Sequence, residues 1–253
     1  MESEYILKVI LQRPEVRNAI NHQMMQDLLN LWQNEVPKQA QLRCIILTGA
    51  GDKAFCAGAD LKERLNLSLE DWRFQHLSLQ QAMLAQMRCA IPIIAAVNGA
   101  AFGGGLELAL ACDFIYAAKN AVFSQSEVKL GLMPGAMGSQ NLPKAAGLRR
   151  AKELAFTGES FSADQALSWN IVNKVLDSEN LLTEALKTAQ IIAGNAPLAV
   201  RNLKKSINDS THLDYTTGYQ VELLAYQQLL PTEDRIEGIK AFNEKRKAYF
   251  KNK

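Results

Sequence analysis

The chain has 253 residues, 48% hydrophobic and 7% aromatic, enough for one large core or for a core with an appended helical piece. Its 28 Lys and Arg stand against 26 Asp and Glu, and a net charge of +2 argues against a nucleic-acid binder driven by phosphate contacts. Four cysteines (Cys44, Cys56, Cys89 and Cys112) lie in apolar contexts without a CxxC pair, which disfavours zinc and a disulfide framework and fits a reducing cytoplasm.

The acidic start Met1-Glu2-Ser3-Glu4-Tyr5 lacks the basic and apolar regions of a secretory signal. Tyr5 to Leu11 reads as a strand ended by Arg13-Pro14. Asn21 is a helix N-cap ahead of an apolar face built from Met24, Met25, Leu28, Leu29, Leu31 and Trp32, and Pro37 ends that helix. Cys44 to Thr48 is a fully apolar strand, followed by a loop with Gly49, Gly51 and Gly58. Leu79 to Met87 reads as a helix and Ile93 to Val97 as a second buried strand. The run Ile91 to Ala101 is broken by Pro92, Asn98 and Gly99 and is no membrane span. Gly104 to Ala111 is helical, and Phe114 to Ala117 and Ala121 to Ser124 are two more short strands. Strand–helix alternation with unalternating apolar strands predicts an α/β architecture with much parallel pairing.

From Ser139 onward the chain turns helical, with helices predicted at Arg149 to Thr157, Ala163 to Trp169, Leu181 to Ala193, Pro197 to Asp209 and Tyr219 to Leu230. Val172 to Leu176 is a strand among them, and Thr232 starts a charged helix running to Lys251. No Ser/Pro-rich linker separates the halves. We read residues 1–195 as the core and 196–253 as a helical extension, one continuous domain in effect.

Two glutamates stand out. Glu107 lies just inside a helix that opens on Gly103-Gly104-Gly105, and Glu127 follows the next apolar strand in Ser124-Gln125-Ser126-Glu127. A glycine-rich helix start offers backbone N–H groups to developing negative charge, and two nearby carboxyl groups suit acid–base work. The three glycines lack GxGxxG spacing, which disfavours a dinucleotide site. A second glycine loop, Phe55-Cys56-Ala57-Gly58-Ala59-Asp60, follows a buried strand. One N–H from each loop would make an oxyanion hole, each donor worth roughly 3 kcal/mol in the transition state. Read singly, Glu107 is equally well a first-turn glutamate favoured by the helix dipole, and Glu127 a solvated loop carboxylate. Cys56 has no Cys/His arrangement behind it, and His22, His76 and His212 read as structural or surface residues.

Together these segments resemble the crotonase (enoyl-CoA hydratase/isomerase) superfamily over almost the whole chain. The likeness rests on Leu11-Gln12-Arg13-Pro14 with Arg17-Asn18-Ala19-Ile20, on Ala57-Gly58-Ala59-Asp60-Leu61-Lys62, on Ala96-Val97-Asn98-Gly99 through Glu107 to Cys112-Asp113, and on Glu127, Gly131, Pro134-Gly135 and Gly138-Ser139-Gln140. The resemblance implies a ββα spiral core with a C-terminal helical trimerisation region, assembled as a homotrimer or a homohexamer of paired trimers. It implies an acyl-CoA substrate, with coenzyme A carried by that substrate and no resident cofactor or metal. It places the oxyanion-hole donors at Ala57 and Gly104 and the catalytic carboxylates at Glu107, for water activation, and Glu127, for protonation of Cα. Substrate-binding positions then include Ala57, Gly58, Ala59, Asp60, Lys62 and Gly135, with Phe242 and Lys245 meeting coenzyme A from a neighbouring subunit. No nucleic acid or membrane partner is implied.

The chain departs from the pattern at Ser126, where proline is frequent, at Met137, inside a commonly all-glycine stretch, and at Asn141, where arginine is frequent. Met137 is expected to narrow or reshape the acyl pocket. Two carboxylates favour hydration of a 2-enoyl-CoA. The alternatives are another crotonase-fold activity (isomerase, hydrolase or decarboxylase) and a non-catalytic or RNA-binding member of the fold.

Overall fold

Apolar strands without alternation must be covered on both faces, and the chain achieves this by winding. The computed structural model describes residues 4–253; Met1 to Ser3, part of the acidic N-terminal segment, lie outside them. The chain opens with β1 (Ile6–Leu11), a 3-10 turn (Pro14–Val16) and α1 (His22–Asn30), which widens into a π-helical turn over Leu31–Glu35. Three similar turns of the path follow, each laying a strand in a first sheet, a shorter strand in a second, and then helix. They are β2 (Cys44–Gly49), β3 (Ala54–Cys56), α2 (Leu61–Arg64) and α3 (Leu69–Met87); β4 (Ile93–Val97), β5 (Ala100–Phe102) and α4 (Gly104–Leu110); and β6 (Phe114–Ala118), β7 (Val122–Ser124), a 3-10 turn (Glu127–Leu130), α5 (Gly138–Ala146) and α6 (Leu148–Thr157). β8 (Ser160–Ser162), α7 (Ala163–Ser168) and β9 (Lys174–Leu176) complete the sheets. The helices α8 (Leu181–Gly194), α9 (Pro197–Ser210), α10 (Tyr215–Gln227) and α11 (Glu233–Asn243) follow.

The first sheet has the order β1-β2-β4-β6-β9 and is parallel throughout; the second has the order β3-β5-β7-β8, antiparallel only between β7 and β8. This is the expected ββα spiral. Alternate residues of the first sheet serve two cores, as period-two geometry requires. Ile45, Leu47, Ile93, Ala95 and Val97 face the main core with Phe55, Leu106 and Met83. Ile46, Ile94, Ala96 and Tyr116 face a second core closed by Leu181, Ala185, Ala189 and Ala193, a four-residue repeat along α8.

Several boundaries differ from the sequence reading. The three-residue strands β3, β5 and β8 are too short to show alternation, and the loop predicted around Phe55 and Cys56 begins as β3. Ser68 caps α3, accepting from the Asp71 N–H at 3.0 Å, so this helix starts ten residues before the predicted Leu79. Its first half exposes Leu69, Phe74 and Leu77 and carries no apolar stripe that a sequence pattern could reveal. α5 fills a stretch for which no separate helix was predicted, and α10 lies at Tyr215–Gln227, shifted from Tyr219 to Leu230. Thr232 does cap α11, but the helix ends at Asn243 rather than Lys251. Lys245 turns left-handed (φ 55°), and the tail folds back so that buried Asp234 accepts from the Lys251 N–H at 2.7 Å and the Asn252 N–H at 2.9 Å.

Gly105 fixes how α4 sits on β3. A Cβ there would lie 2.0 Å from the Cys56 carbonyl oxygen, and that neighbour is backbone in a packed core. Gly105→Ala is therefore expected to cost at least ~2 kcal/mol of unfolding free energy. Gly194→Ala, at the end of α8 with nothing within 4 Å of the new methyl, should be neutral or stabilising by up to ~1 kcal/mol. Urea denaturation midpoints of the two variants check the contrast.

Candidate active site

The loop after β3 is held by the residues that follow β1. Arg17 and Asn18 both adopt left-handed backbone (φ 54° and 55°). Asn18 is fully buried, and its Nδ2 donates to the carbonyls of Ala50 (3.0 Å) and Ala54 (2.8 Å) while its Oδ1 accepts from the Arg13 N–H at 2.9 Å. The Arg13 guanidinium pairs with Asp60 at 3.0 Å and donates to the Ala19 carbonyl at 2.7 Å. The Ile20 N–H donates to the Gly58 carbonyl (2.8 Å) and the Asp60 N–H to the Ile20 carbonyl (2.9 Å), forming an isolated parallel bridge between Ile20 and Ala59. Asp60 also caps α2, accepting from the Glu63 N–H at 3.3 Å. Asp60 is thus committed to Arg13, and Lys62 is exposed.

This bracing decides which amides are free. The Ala57 N–H, expected as an oxyanion donor, is engaged by the Arg17 carbonyl at 3.0 Å. The next amide without a partner is that of Ala59, which takes part in no hydrogen bond among the described residues. It lies 3.8 Å from where a Cβ on Gly104 would stand. Gly104 is the first residue of α4, so its own N–H has no partner within the helix. The pair of free donors is therefore Ala59 and Gly104, with the loop donor two residues beyond the expected Ala57. Gly58 (φ +90°) makes the approach possible, because a Cβ there would meet the Phe102 carbonyl oxygen at 2.6 Å. Gly103 (φ +50°) turns the chain into α4 and donates its N–H to the Ser124 carbonyl at 2.8 Å.

The two carboxyl groups flank these amides. Glu107, on the first turn of α4, is 3% exposed; its Oε1 accepts from the N–H groups of Ala136 (2.8 Å) and Gly138 (2.7 Å). Burial pushes its pKa up to about 7, against the pull of those amides and with a further push from Glu127. Gly138 must be glycine, since a Cβ would lie 2.8 Å from the Glu107 Oε1. Glu127 begins a 3-10 turn with its carboxylate against Gly103, 3.2 Å from where a Cβ would stand. Its Oε1 accepts from Gln125 Nε2 at 2.8 Å, and its Oε2 is buried without a partner among the described residues. Burial raises this carboxyl as well, opposed by a backbone amide and by Gln125.

Glu107, Glu127, Ala59, Gly103 and Gly104 line one cavity of about 350 Å³, together with Ala57, Gly58, Leu61, Arg64, Trp72, His76, Leu79, Ser126, Leu130, Leu132, Met133, Pro134 and Gly135. Asp60, Lys62, Phe242 and Lys245 are not among the lining residues, and Phe242 is 84% exposed at the far end of the chain. Met137 does not line the cavity either. It adopts left-handed backbone (φ 76°) at the start of α5, a conformation glycine holds without strain. Asn141 is buried and contacts Met87 Sδ at 3.6 Å. The sequence reading missed Arg64, Trp72 and His76. The His76 ring occupies the place of a Gly135 side chain, its Cε1 2.4 Å from a Cβ built there, so the histidine taken as structural or surface walls the cavity. A larger cavity of about 760 Å³, lined by Trp32, Val36, Arg88 and Arg201 among others, carries no carboxyl group.

The whole chain, residues 1–253, matches the enoyl-CoA hydratase/isomerase family. A crotonyl-CoA hydratase of Syntrophomonas wolfei is 39% identical over 254 residues, covering 100% of this chain and 97% of that protein. A mitochondrial enoyl-CoA hydratase of Pongo abelii is 40% identical, covering 96% of this chain and 82% of its own length. The crystal structure of an enoyl-CoA hydratase from Bacillus anthracis superposes with a TM-score of 0.96 at 40% identity, covering 98% of this chain and 96% of that one. The chain belongs to the enoyl-CoA hydratase/isomerase family of the crotonase superfamily.

Proposed function

We propose that this protein is an enoyl-CoA hydratase, a hydro-lyase that adds water across the 2,3 double bond of a 2-enoyl-CoA. The observation that carries the reading is the convergence of a buried carboxyl group (Glu107), a half-buried one (Glu127) and two free backbone amides in one cavity. In this reading the thioester oxygen accepts from the N–H groups of Ala59 and Gly104. Glu107 takes a proton from water as the water oxygen bonds to C3. The π electrons move toward the carbonyl, and the resulting enolate oxygen is held by the two amides. Glu127 then delivers its proton to C2, giving the 3-hydroxyacyl-CoA. Proton return from Glu107 to Glu127 restores the starting state, and the roles exchange in the reverse direction. Burial raises both carboxyl groups and mutual repulsion disfavours double ionisation, so the pair keeps a proton near neutral pH. Coenzyme A arrives on the substrate, and protein groups carry the chemistry.

The same reading takes residues 196–253 as an assembly region forming trimers or paired trimers. α10 buries none of its residues within the chain, and Leu224, Tyr226, Ile236, Ile239 and Phe242 are all exposed. Phe242 and Lys245 would then meet coenzyme A from a neighbouring subunit. No helix among the described residues is long and apolar enough to cross a membrane, and four free thiols fit a reducing cytoplasm.

The purified protein is expected to hydrate crotonyl-CoA, followed as loss of the conjugated thioester absorbance. Glu107→Gln and Glu127→Gln should each lower kcat by about 10²–10⁴-fold, and full turnover in either variant would refute the two-carboxylate scheme. Sedimentation should give the mass of three or six 28.0 kDa chains; a monomer would refute the assembly reading. Stability gives an independent check. The Glu107 carboxyl binds its proton more tightly folded (about 7) than at its ordinary value of 4.5, so its contribution favours folding at low pH. That contribution declines as pH rises from about 4.5 to about 7, leaving a penalty on the order of 3 kcal/mol above that range. Glutamine mimics the protonated acid, so Glu107→Gln should melt higher than the parent at pH 8, with the gain vanishing near pH 4.5.

A further inference from the structure

Arg64 is the one charged side chain in the cavity that the hydration chemistry leaves unused. It closes the short helix α2 and is 8% exposed, yet its Nε and Nη2 atoms are buried with no hydrogen-bond partner among the described residues. No carboxylate among the described residues pairs with it. Glu63, its neighbour in sequence, accepts from the His22 N–H through Oε2 at 2.9 Å. The guanidinium lies over the Trp72 ring, 4.9 Å from the centroid, and its charge helps depress the pKa of His76, after burial. An unpaired buried charge is costly, and folded proteins keep one where a ligand completes it.

The surroundings narrow what that ligand is. Arg64 shares the cavity with Trp72, Leu79, Leu130, Leu132 and Met133, an apolar wall, and with His76, which packs on Gly135 beside the amides that hold Glu107. A hydrated phosphate of coenzyme A suits an open surface, whereas a small carboxylate at the end of a short acyl chain suits a guanidinium closed off by apolar groups. We infer that Arg64 is a specificity residue that pairs with a carboxylate at the distal end of the acyl chain, so that the preferred substrates are carboxylated short-chain enoyl-CoA thioesters. This rests on the hydratase reading for the substrate's double bond, but the anion site itself is testable without turnover. A site built around a charged group discriminates strongly against the analogue that lacks its partner, because the protein's own charge is then left unpaired.

Glutaryl-CoA and butyryl-CoA are saturated thioesters that differ by a terminal carboxylate. Calorimetric Kd values for both, measured on the parent, Arg64→Met and Arg64→Lys, form the test. The parent is expected to bind glutaryl-CoA more tightly by on the order of 100-fold. That ratio should collapse toward one in Arg64→Met, which conserves volume, and survive in part in Arg64→Lys, which conserves charge. A parent ratio near one, or a ratio unchanged in Arg64→Met, overturns the inference. Equal weakening of both ligands gives an unchanged ratio, the outcome for an arginine that holds a coenzyme A phosphate or only shapes the loop. In turnover, glutaconyl-CoA should exceed crotonyl-CoA in kcat/KM on the parent, and that preference should disappear in Arg64→Met. Inactivity on both enoyl substrates with the binding ratio intact would remove the hydratase reading and leave the anion site standing.

Discussion

Everything chemical here depends on two backbones lying closer than side chains allow. The loop after β3 and the start of α4 meet where Gly58, Gly103 and Gly105 remove the Cβ atoms that would strike the Phe102 carbonyl, the Glu127 carboxylate and the Cys56 carbonyl. A close approach of this kind leaves amides facing inward, and an amide facing a cavity must be satisfied by something. One of the two belongs to the first turn of a helix, where no intrahelical acceptor exists. The other belongs to Ala59, whose neighbours Gly58 and Asp60 have committed their hydrogen-bonding groups to Ile20. The left-handed pair Arg17 and Asn18 matters for the same reason, since it fixes the loop that aims Ala59.

The carboxyl groups are tuned by opposing terms of different size. Burial drives Glu107 toward the neutral form, while two short N–H bonds from Ala136 and Gly138 favour the anion, and burial wins. Those amides also converge on one oxygen, Oε1, so the other oxygen is not held by them. Glu127 is asymmetric: Gln125 fixes Oε1, and Oε2 is buried with no partner among the described residues. In the proposed scheme, the oxygen of Glu127 that Gln125 does not hold is the one that would exchange a proton. A buried acid with every lone pair engaged would hold its geometry but have no atom with which to exchange a proton.

The fold class and the pair of glutamates were legible because they depend on long signals. The buried strands β2 and β4 carry runs of four and five apolar residues, and the glycines before Glu107 are contiguous. What escaped was set by contacts distant in sequence. Ala57 and Ala59 are both alanines flanking Gly58, and only the hydrogen bond from Ala57 to Arg17, forty residues earlier, decides which amide is free. His76 has no motif around it, and it enters the cavity because Gly135 lacks the side chain that would exclude its ring. Met137 interrupts a glycine-rich pattern, which directed attention to pocket size; in the structure it bears a backbone constraint instead, holding φ 76° at the head of α5. Arg64 sits on a four-residue helix beside exposed Lys62, and nothing in its local sequence distinguishes the buried cation from the solvated one.

The charges in the cavity form a set rather than three separate features. With one proton on the glutamate pair, the site holds one carboxylate and one guanidinium, and the two are not in ion-pair contact. A direct pair between them would satisfy both at the expense of function, since a carboxylate bound to arginine is a weaker base and a paired arginine recognises nothing. Separate anchors prevent this. Glu107 is held by the Ala136 and Gly138 amides, Glu127 by Gln125, and Arg64 rests over Trp72. An incoming acyl carboxylate would neutralise the guanidinium and leave the remaining negative charge on the acid–base pair, where proton transfer needs it. In the proposed scheme, the separate anchors that keep Arg64 out of an ion pair with the glutamates would also let an anionic substrate bind without disturbing the proton they share.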